Sequence, residues 1–154
     1  MAEQERFDVI NLTGLAWPAS VQIPCKRFRL FVAADTSNVS VDAISDFASA
    51  ALRQGMVYFC VWGRGCERFH DIVDEIVVAD ELGNRKFAGP LGNDVVMTTW
   101  HDDESLEEAL SFFTTCAVPT EGLADDSDFR LVICVGNSHW TDVAERLLQS
   151  AKLQ

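Results

Sequence analysis

The chain is predicted to fold as one α/β domain, a three-layer sandwich that is Rossmann-like in the broad sense. In it, a four-stranded, mostly parallel sheet carries helices on both faces. Two observations predict this class: short, mainly apolar runs alternate with segments of helical periodicity, and the run at residues 56–62 is apolar throughout, as in a strand buried on both faces. A length of 154 residues is enough for a single core. We therefore expect the domain to comprise residues 1–154.

Residues 1–27 are expected to form an irregular N-terminal arm that packs on this domain. Pro18 and Pro24 each push the preceding residue toward extended conformations. Apolar side chains along the arm give it a surface to bury, namely Phe7, Val9, Ile10, Leu12 and Trp17.

The first half of the domain is predicted to run strand, helix, strand, helix. The strands are residues 28–34 (FRLFVAA) and 56–62 (MVYFCVW). The first helix covers residues 41–54, with Ser40 as a plausible N-cap and Gly55 as the stop. The second helix covers residues 67–78, where apolar side chains recur at helical spacing.

The second half repeats this alternation after a Gly/Pro-rich connection at residues 80–93, which has a hairpin signal at Gly83-Asn84. Residues 94–100 (DVVMTTW) form the third predicted strand, and a helix begins near Asp103, where Ser105 and Glu108 have capping-box spacing. An acidic loop at 118–128 precedes the fourth strand at 129–135, and residues 140–153 form the closing helix. Counting these four strands along the chain, we expect the order 2-1-3-4.

The charge of the chain argues against a nucleic-acid partner. The formal net charge is −12, and no Lys or Arg lies between Phe87 and Phe129. An acidic surface repels phosphate backbones. We interpret the acidic residues either as a solvated surface that aids solubility or as a docking face over residues 102–128 for a basic protein partner.

The chain is expected to be cytoplasmic and free of membrane segments. Its N-terminus lacks the basic and apolar regions of a signal peptide, and no apolar run approaches the roughly 18 residues that span a bilayer. The five cysteines are odd in number and form no C-x-x-C pair. This pattern suits a reducing compartment and argues against disulfides or structural zinc.

Polar and aromatic residues concentrate where the predicted strands end, which is the edge at which parallel sheets bind ligands. All three histidines and three of the four tryptophans lie at or just past these ends. The candidate ligand-binding residues are Trp62, Arg64, His70, Asp71, Trp100 and His139. Trp62, Trp100 and Trp140 are expected either to line a pocket or to cap the edge of the core.

A cysteine nucleophile is one chemistry that this edge would allow. Cys66 follows a glycine turn in the first turn of a helix, a position that lowers a thiol pKa. His101 is the candidate base and Asp35 the group that orients it, with His139 and Asp102 as alternatives. Glu67 opposes thiolate formation, so a cysteine that only packs the helix start is the competing interpretation.

Three other chemistries have weaker sequence support. A metal would use Glu67, His70, Asp71 and Asp74, but any polar helix face produces such pairs, and we expect neither metal nor cofactor. FVAADTSNVS resembles the first motif of von Willebrand A-type domains, except that Val39 replaces its second serine. Arg64 and Arg68 near a helix N-terminus favour an anion, although no P-loop or G-x-G-x-x-G is present.

The segment W-G-x-G-C-x-x-x-H-D, with T-T-W-H and S-L-E-E-A-L downstream, resembles a family of small uncharacterised bacterial proteins. Here its residues are Trp62, Gly63, Gly65, Cys66, His70 and Asp71, followed by residues 98–101 and 105–110. The resemblance covers residues 56–113. It implies a domain of unknown function and brings no activity, cofactor or partner.

Together these patterns predict a non-enzymatic binding or regulatory module. It would use the carboxyl edge of the sheet for a small ligand, or the acidic 102–128 face for a protein. The alternative is a small cysteine-dependent hydrolase or transferase, with Cys66 as nucleophile and a strand-end histidine as base. The oligomeric state is left open by the sequence.

Overall fold

The fold is seen in a computed structural model that describes residues 6–82 and 95–152. Its strands are β1 (Phe7–Leu12), β2 (Phe28–Ala33), β3 (Met56–Trp62), β4 (Met97–His101) and β5 (Phe129–Val135). Its helices are α1 (Val41–Arg53), α2 (Cys66–Leu82), α3 (Leu106–Thr115) and α4 (Ser138–Lys152), with a 3-10 turn at Glu121–Leu123.

The strands form one sheet in the order β1-β5-β2-β3-β4, and every pairing is parallel. The predicted α/β class is therefore confirmed. Two details were wrong. The sheet of the described residues has five strands rather than four. If the four predicted strands, which are β2 to β5, are numbered 1 to 4 along the chain, their observed order is 4-1-2-3 rather than 2-1-3-4.

The additional strand is β1, which lies in the segment predicted to be an irregular arm. It pairs with β5 in register from Phe7 opposite Arg130 to Leu12 opposite Val135. As an edge strand it is half-buried, with Val9 packed toward one face of the sheet and Ile10 toward the other. The arm does pack on the domain, and it does so as part of the sheet.

Each face of the sheet has its own core. The first core lies under α1 and α2 and includes Phe47, Phe59 and Phe69, with the last two rings 5.1 Å apart. The second core lies under α3 and α4, where the Phe31 and Phe113 rings are 5.5 Å apart. The three-layer arrangement follows from these two cores, since each helix pair buries its apolar stripe on one side of the sheet.

The predicted helix caps are present. The Ser40 hydroxyl accepts a hydrogen bond from the Ala43 N–H, and the Ser105 hydroxyl accepts one from the Glu108 N–H, both at 3.1 Å. Helix α2 begins at Cys66, one residue earlier than predicted, and extends past residue 78 to Leu82. The hairpin signal at Gly83-Asn84 lies outside the described residues.

The acidic residues of segment 102–128 are divided between opposite edges of the sheet. Asp102 and Asp103 follow the carboxyl end of β4, whereas Asp125 and Asp126 precede the amino end of β5. Because β4 and β5 run parallel, a docking face over residues 102–128 would have to extend from one edge of the sheet to the other, and it stays a prediction.

At the amino edge the acidic loop already contacts basic residues of the same chain. The Asp126 carboxylate accepts a hydrogen bond from the Lys26 N–H at 2.7 Å, and Arg27 donates to the Asp125 carbonyl at 3.0 Å. Arg29 lies 4.0 Å from Asp128. Part of this charge is thus matched within the chain, and a basic protein partner stays a prediction. No helix in the described part of the chain combines the length and apolarity that crossing a membrane requires.

Candidate functional site

A cleft of about 800 Å³ opens at the carboxyl edge of the sheet, and we call it the carboxyl-edge cleft. Asp35 enters it after β2, residues 62–68 after β3, and Asp102 and Glu104 after β4. Asp71 of α2 and Trp140 of α4 complete its lining. The cleft therefore lies where the strand ends were predicted to form a site.

The turn from β3 into α2 forms the floor of the cleft, and it requires a glycine at position 63. Gly63 has a φ of +117°, and a Cβ atom there would lie 2.1 Å from the Ala34 carbonyl oxygen. The Ala34 N–H donates to the Trp62 carbonyl at 3.1 Å, and the Cys66 N–H donates to the Gly63 carbonyl at the same distance. This close approach lets α2 begin directly after the strand.

The loop after β2 is fastened to this turn by Thr36, a fully buried residue that the sequence did not single out. Its N–H donates to the Arg64 carbonyl at 2.9 Å, and its hydroxyl donates to the Gly65 carbonyl at 3.2 Å. In return, Arg68 donates to the Thr36 carbonyl at 3.2 Å. These bonds hold two walls of the cleft in a fixed relation.

Two tryptophans form the aromatic corner of the cleft. The Trp62 and Trp140 rings are 5.2 Å apart and almost perpendicular, at 89°. The Trp62 indole N–H donates to the Glu104 carbonyl at 2.8 Å. The expected pocket-lining role thus fits these two residues, whereas Trp100 lies outside the cleft lining.

Seven charged side chains line the cleft, and carboxylates predominate. They are Asp35, Glu67, Asp71, Asp102 and Glu104 against Arg64 and Arg68. Asp35 accepts hydrogen bonds from the Ser37 hydroxyl at 2.6 Å and the Ser37 N–H at 3.0 Å. These bonds, helped by the nearby Arg64 charge, hold the pKa of Asp35 below its ordinary value of 3.8.

Cys66 lines the cleft, but its side chain is buried in the first core. Burial raises the pKa of the Cys66 thiol, and the Asp102 charge adds to the rise. Hydrogen bonds from the His101 and Glu67 backbone act in the opposite direction and are outweighed. The lowered pKa expected from the helix N-terminus is therefore wrong, since desolvation dominates.

The candidate base His101 contacts Cys66 through its backbone, while its imidazole lies on the other face of the sheet. The ring packs 4.9 Å from Phe112, which contacts the second core. Its Nδ1 is 3.1 Å from both Glu104 carboxylate oxygens, and its Nε2 is 3.0 Å from the Thr99 hydroxyl. The structure therefore does not bring the expected nucleophile and base together.

His70 and Trp100 lie beside the cleft, where they bridge α2 and β4. The two rings are 4.5 Å apart. The His70 Nδ1 is 3.0 Å from the Asp71 carboxylate and its Nε2 is 2.9 Å from the Thr98 hydroxyl, which also reaches Asp74 at 3.3 Å. Both ring nitrogens are hydrogen-bonded within the protein. His70 therefore helps to hold α2 against β4 and does not face an open ligand site.

His139 is exposed at the start of α4 and is not part of the cleft lining, although its N–H donates to the Asn137 side chain at 3.0 Å. Of the predicted residues, the structure therefore gathers Asp35, Trp62, Arg64, Cys66 and Asp71 at the cleft, together with Asp102 and Trp140. It adds Glu104, which no strand-end pattern had indicated. No cluster of three or more potential metal-ligating side chains occurs among residues 6–82 and 95–152.

Fold and site together define an α/β protein with a charged, aromatic-walled cleft at the carboxyl edge of a parallel sheet. The chain belongs to the family described as Domain of unknown function (DUF7684), whose model matches residues 10–151. The predicted resemblance to a domain of unknown function is thereby confirmed. The family match covers far more of the chain than residues 56–113, over which the resemblance was seen. The link to the W-G-x-G-C motif and the bacterial origin stay predictions. No match was found among curated proteins or among solved structures.

Proposed function

We propose that this protein is a non-enzymatic, cytoplasmic binding module whose small-molecule ligand occupies the carboxyl-edge cleft. The observation that carries the proposal is the cleft itself, which combines two tryptophan walls with charged side chains. Its volume of about 800 Å³ falls within the 300–1,000 Å³ typical of small-molecule sites.

The walls of the cleft are joined to one another by hydrogen bonds within the protein, which favours binding. Thr36 and Arg68 fasten the β2 loop to the β3–α2 turn, and Trp62 is bonded to the loop that follows β4. Three of the cleft walls are thus joined by hydrogen bonds within the protein. A ligand that enters such a site does not have to order these loops, so less of its binding free energy is lost.

The surroundings of Cys66 support binding over catalysis. A buried thiol with a raised pKa supplies little thiolate near neutral pH. The two histidines nearest in the fold use their ring nitrogens in bonds to carboxylates and threonine hydroxyls. A cysteine-dependent reaction would first have to free the Nε2 atom of one of these histidines from its threonine hydroxyl.

The proposal is tested with a panel of cationic, anionic and neutral small molecules, screened by thermal shift and measured by calorimetry. We expect at least one compound to bind the wild type saturably. Its affinity should fall at least tenfold in Trp140→Ala and change by less than twofold in Trp100→Ala. The second variant is the matched control, because Trp100 lies outside the cleft lining. Binding that is equal in both variants, or absent across the panel, would contradict the proposal.

A further inference from the structure

We infer that the ligand of the carboxyl-edge cleft carries an organic ammonium group, seated in the corner that Trp62 and Trp140 form beside Asp102 and Glu104. The inference rests on the proposed function and specifies its ligand class. It is argued from the placement of charge across the cleft, the chemistry of the aromatic corner and the positions of the two arginines.

Charge is distributed unevenly across the cleft. On the β2 side Arg64 and Arg68 line the cleft together with Asp35, and Arg68 donates a hydrogen bond to the Thr36 carbonyl. On the β4 side the ionisable residues of the lining are Asp102 and Glu104, both carboxylates. A cation is therefore favoured on the β4 side.

The Trp62 ring of the aromatic corner reaches this same side. Trp62 donates its indole N–H to the Glu104 carbonyl, which fixes the ring beside the acidic loop and occupies its only hydrogen-bond donor. What the ring still offers is its π-surface, whose negative electrostatic potential attracts cations. The perpendicular Trp140 ring provides a second aromatic wall at 5.2 Å.

The Glu104 carboxylate can accept hydrogen bonds from a ligand while it stays bonded to His101. Both of its oxygens lie 3.1 Å from the His101 Nδ1, which offers one N–H at most. A carboxylate has about four acceptor positions, so several stay available to a ligand. Glu104 is only half-buried, which leaves it accessible.

An anionic ligand is disfavoured by the same arrangement. Five carboxylates against two guanidinium groups give the lining a formal excess of three negative charges. The chain as a whole carries −12, so its long-range field also attracts cations and repels anions. The arginines and the N-terminus of α2 would have to overcome both effects to hold a phosphate or carboxylate.

The test measures binding of five probes by calorimetry: choline and putrescine as cations, phosphate and citrate as anions, and glucose as a neutral compound. The cleft variant is the double substitution Asp102→Asn with Glu104→Gln. Its matched control is Glu121→Gln with Asp125→Asn, which removes the same charge from the loop at the amino edge. Circular dichroism verifies that both variants are folded.

We expect choline or putrescine to bind the wild type. The affinity should fall at least tenfold in the cleft variant and stay within twofold of the wild-type value in the control variant. Equal weakening in both variants would reveal only general attraction to an acidic surface and would overturn the inference. Binding of an anion or of glucose that is lost in Trp140→Ala, with no cation bound, would also overturn it while supporting the proposed function. Absence of binding by all five probes, together with a negative panel screen, would count against both.

Discussion

The two buried histidines are held by the same arrangement on opposite faces of β4. His70 lies between the Asp71 carboxylate and the Thr98 hydroxyl, and His101 lies between Glu104 and the Thr99 hydroxyl. Successive residues of a strand point to opposite faces, so the neighbouring threonines serve one histidine each. The sequence showed these histidines near strand ends but gave no sign that their ring nitrogens bond to threonines inside the domain.

The reactivity of Cys66 distinguishes the two functions considered for this chain. Because burial raises its thiol pKa, we expect Cys66 to react with iodoacetamide more slowly than the exposed Cys116 at pH 7. Site-resolved mass spectrometry between pH 5 and pH 9 measures both rates. The unfolded protein, in which the two rates should be similar, is the control. A Cys66 that reacts faster than Cys116 in the folded protein would favour the alternative, a cysteine-dependent enzyme, over the binding module.

Asp126 is one residue that makes the stability of the domain depend on pH in the acidic range. Its pKa is lowered below 3.8 chiefly by the hydrogen bond from the Lys26 N–H. A carboxyl with a depressed folded-state pKa stabilises the fold above its unfolded pKa, and this stabilisation is lost as pH falls through the folded value. Asp126→Asn keeps an acceptor and tolerates the backbone φ of +53°, so it removes mainly the charge.

We therefore expect the wild type to lose more thermal stability than Asp126→Asn between about pH 5 and pH 2. Melting temperatures recorded from about pH 7 down to about pH 2 measure the difference, which should be largest near neutral pH and shrink toward the acidic end. Asp125→Asn is the control, because Arg27 bonds to the backbone carbonyl of Asp125. Parallel curves for the wild type and Asp126→Asn would show that the Lys26 bond does not depend on the charge.

At the scale of elements, the junction of β3 and α2 was the best predicted part of the chain. A buried strand that ends at Gly63-Arg64-Gly65 and turns directly into a helix is what the structure contains. The strand pattern and the glycines are local signals, and local geometry suffices to produce such a turn. The packing of Thr36 against this turn depends on the neighbouring strand, so it could not be seen in the local pattern.

The junction predicts a large cost for Gly63→Ala. A left-handed backbone at a non-glycine residue costs about 1 kcal/mol, and the overlap of a Cβ with the Ala34 carbonyl should bring the loss to about 3 kcal/mol or more. Gly136→Ala separates the two effects, because Gly136 has a φ of +78° with open space around its Cβ position. Its expected cost is about 1 kcal/mol. Urea unfolding measures both values, and equal losses would show that the carbonyl contact is relieved by a small shift.

For the whole molecule, the class of fold was readable from the sequence and the arrangement of strands was not. Alternating strands and helices imply parallel crossovers, but the long connection from β4 to β5 allows β5 to insert on either side of the sheet. β5 in fact lies between β1 and β2. The edge strand β1 was missed because its half-buried pattern, followed by Pro18 and Pro24, resembles a packed arm. Only its long-range pairing with β5 identifies it as a strand.

The position of β1 in the sheet predicts that the N-terminal segment unfolds together with the rest of the chain. Val9 packs against the second core, so Val9→Asp should place a charge in an apolar environment and cost about 2–4 kcal/mol. Asn11→Asp is the matched control, because residue 11 is exposed on the same strand. Far-ultraviolet circular dichroism and tryptophan fluorescence should report the same lowered urea midpoint for Val9→Asp, since two-state unfolding affects all probes equally. If Val9→Asp left the main midpoint unchanged, β1 would be only a docked appendage, and the cooperative unit would be the β2–β5 sheet alone.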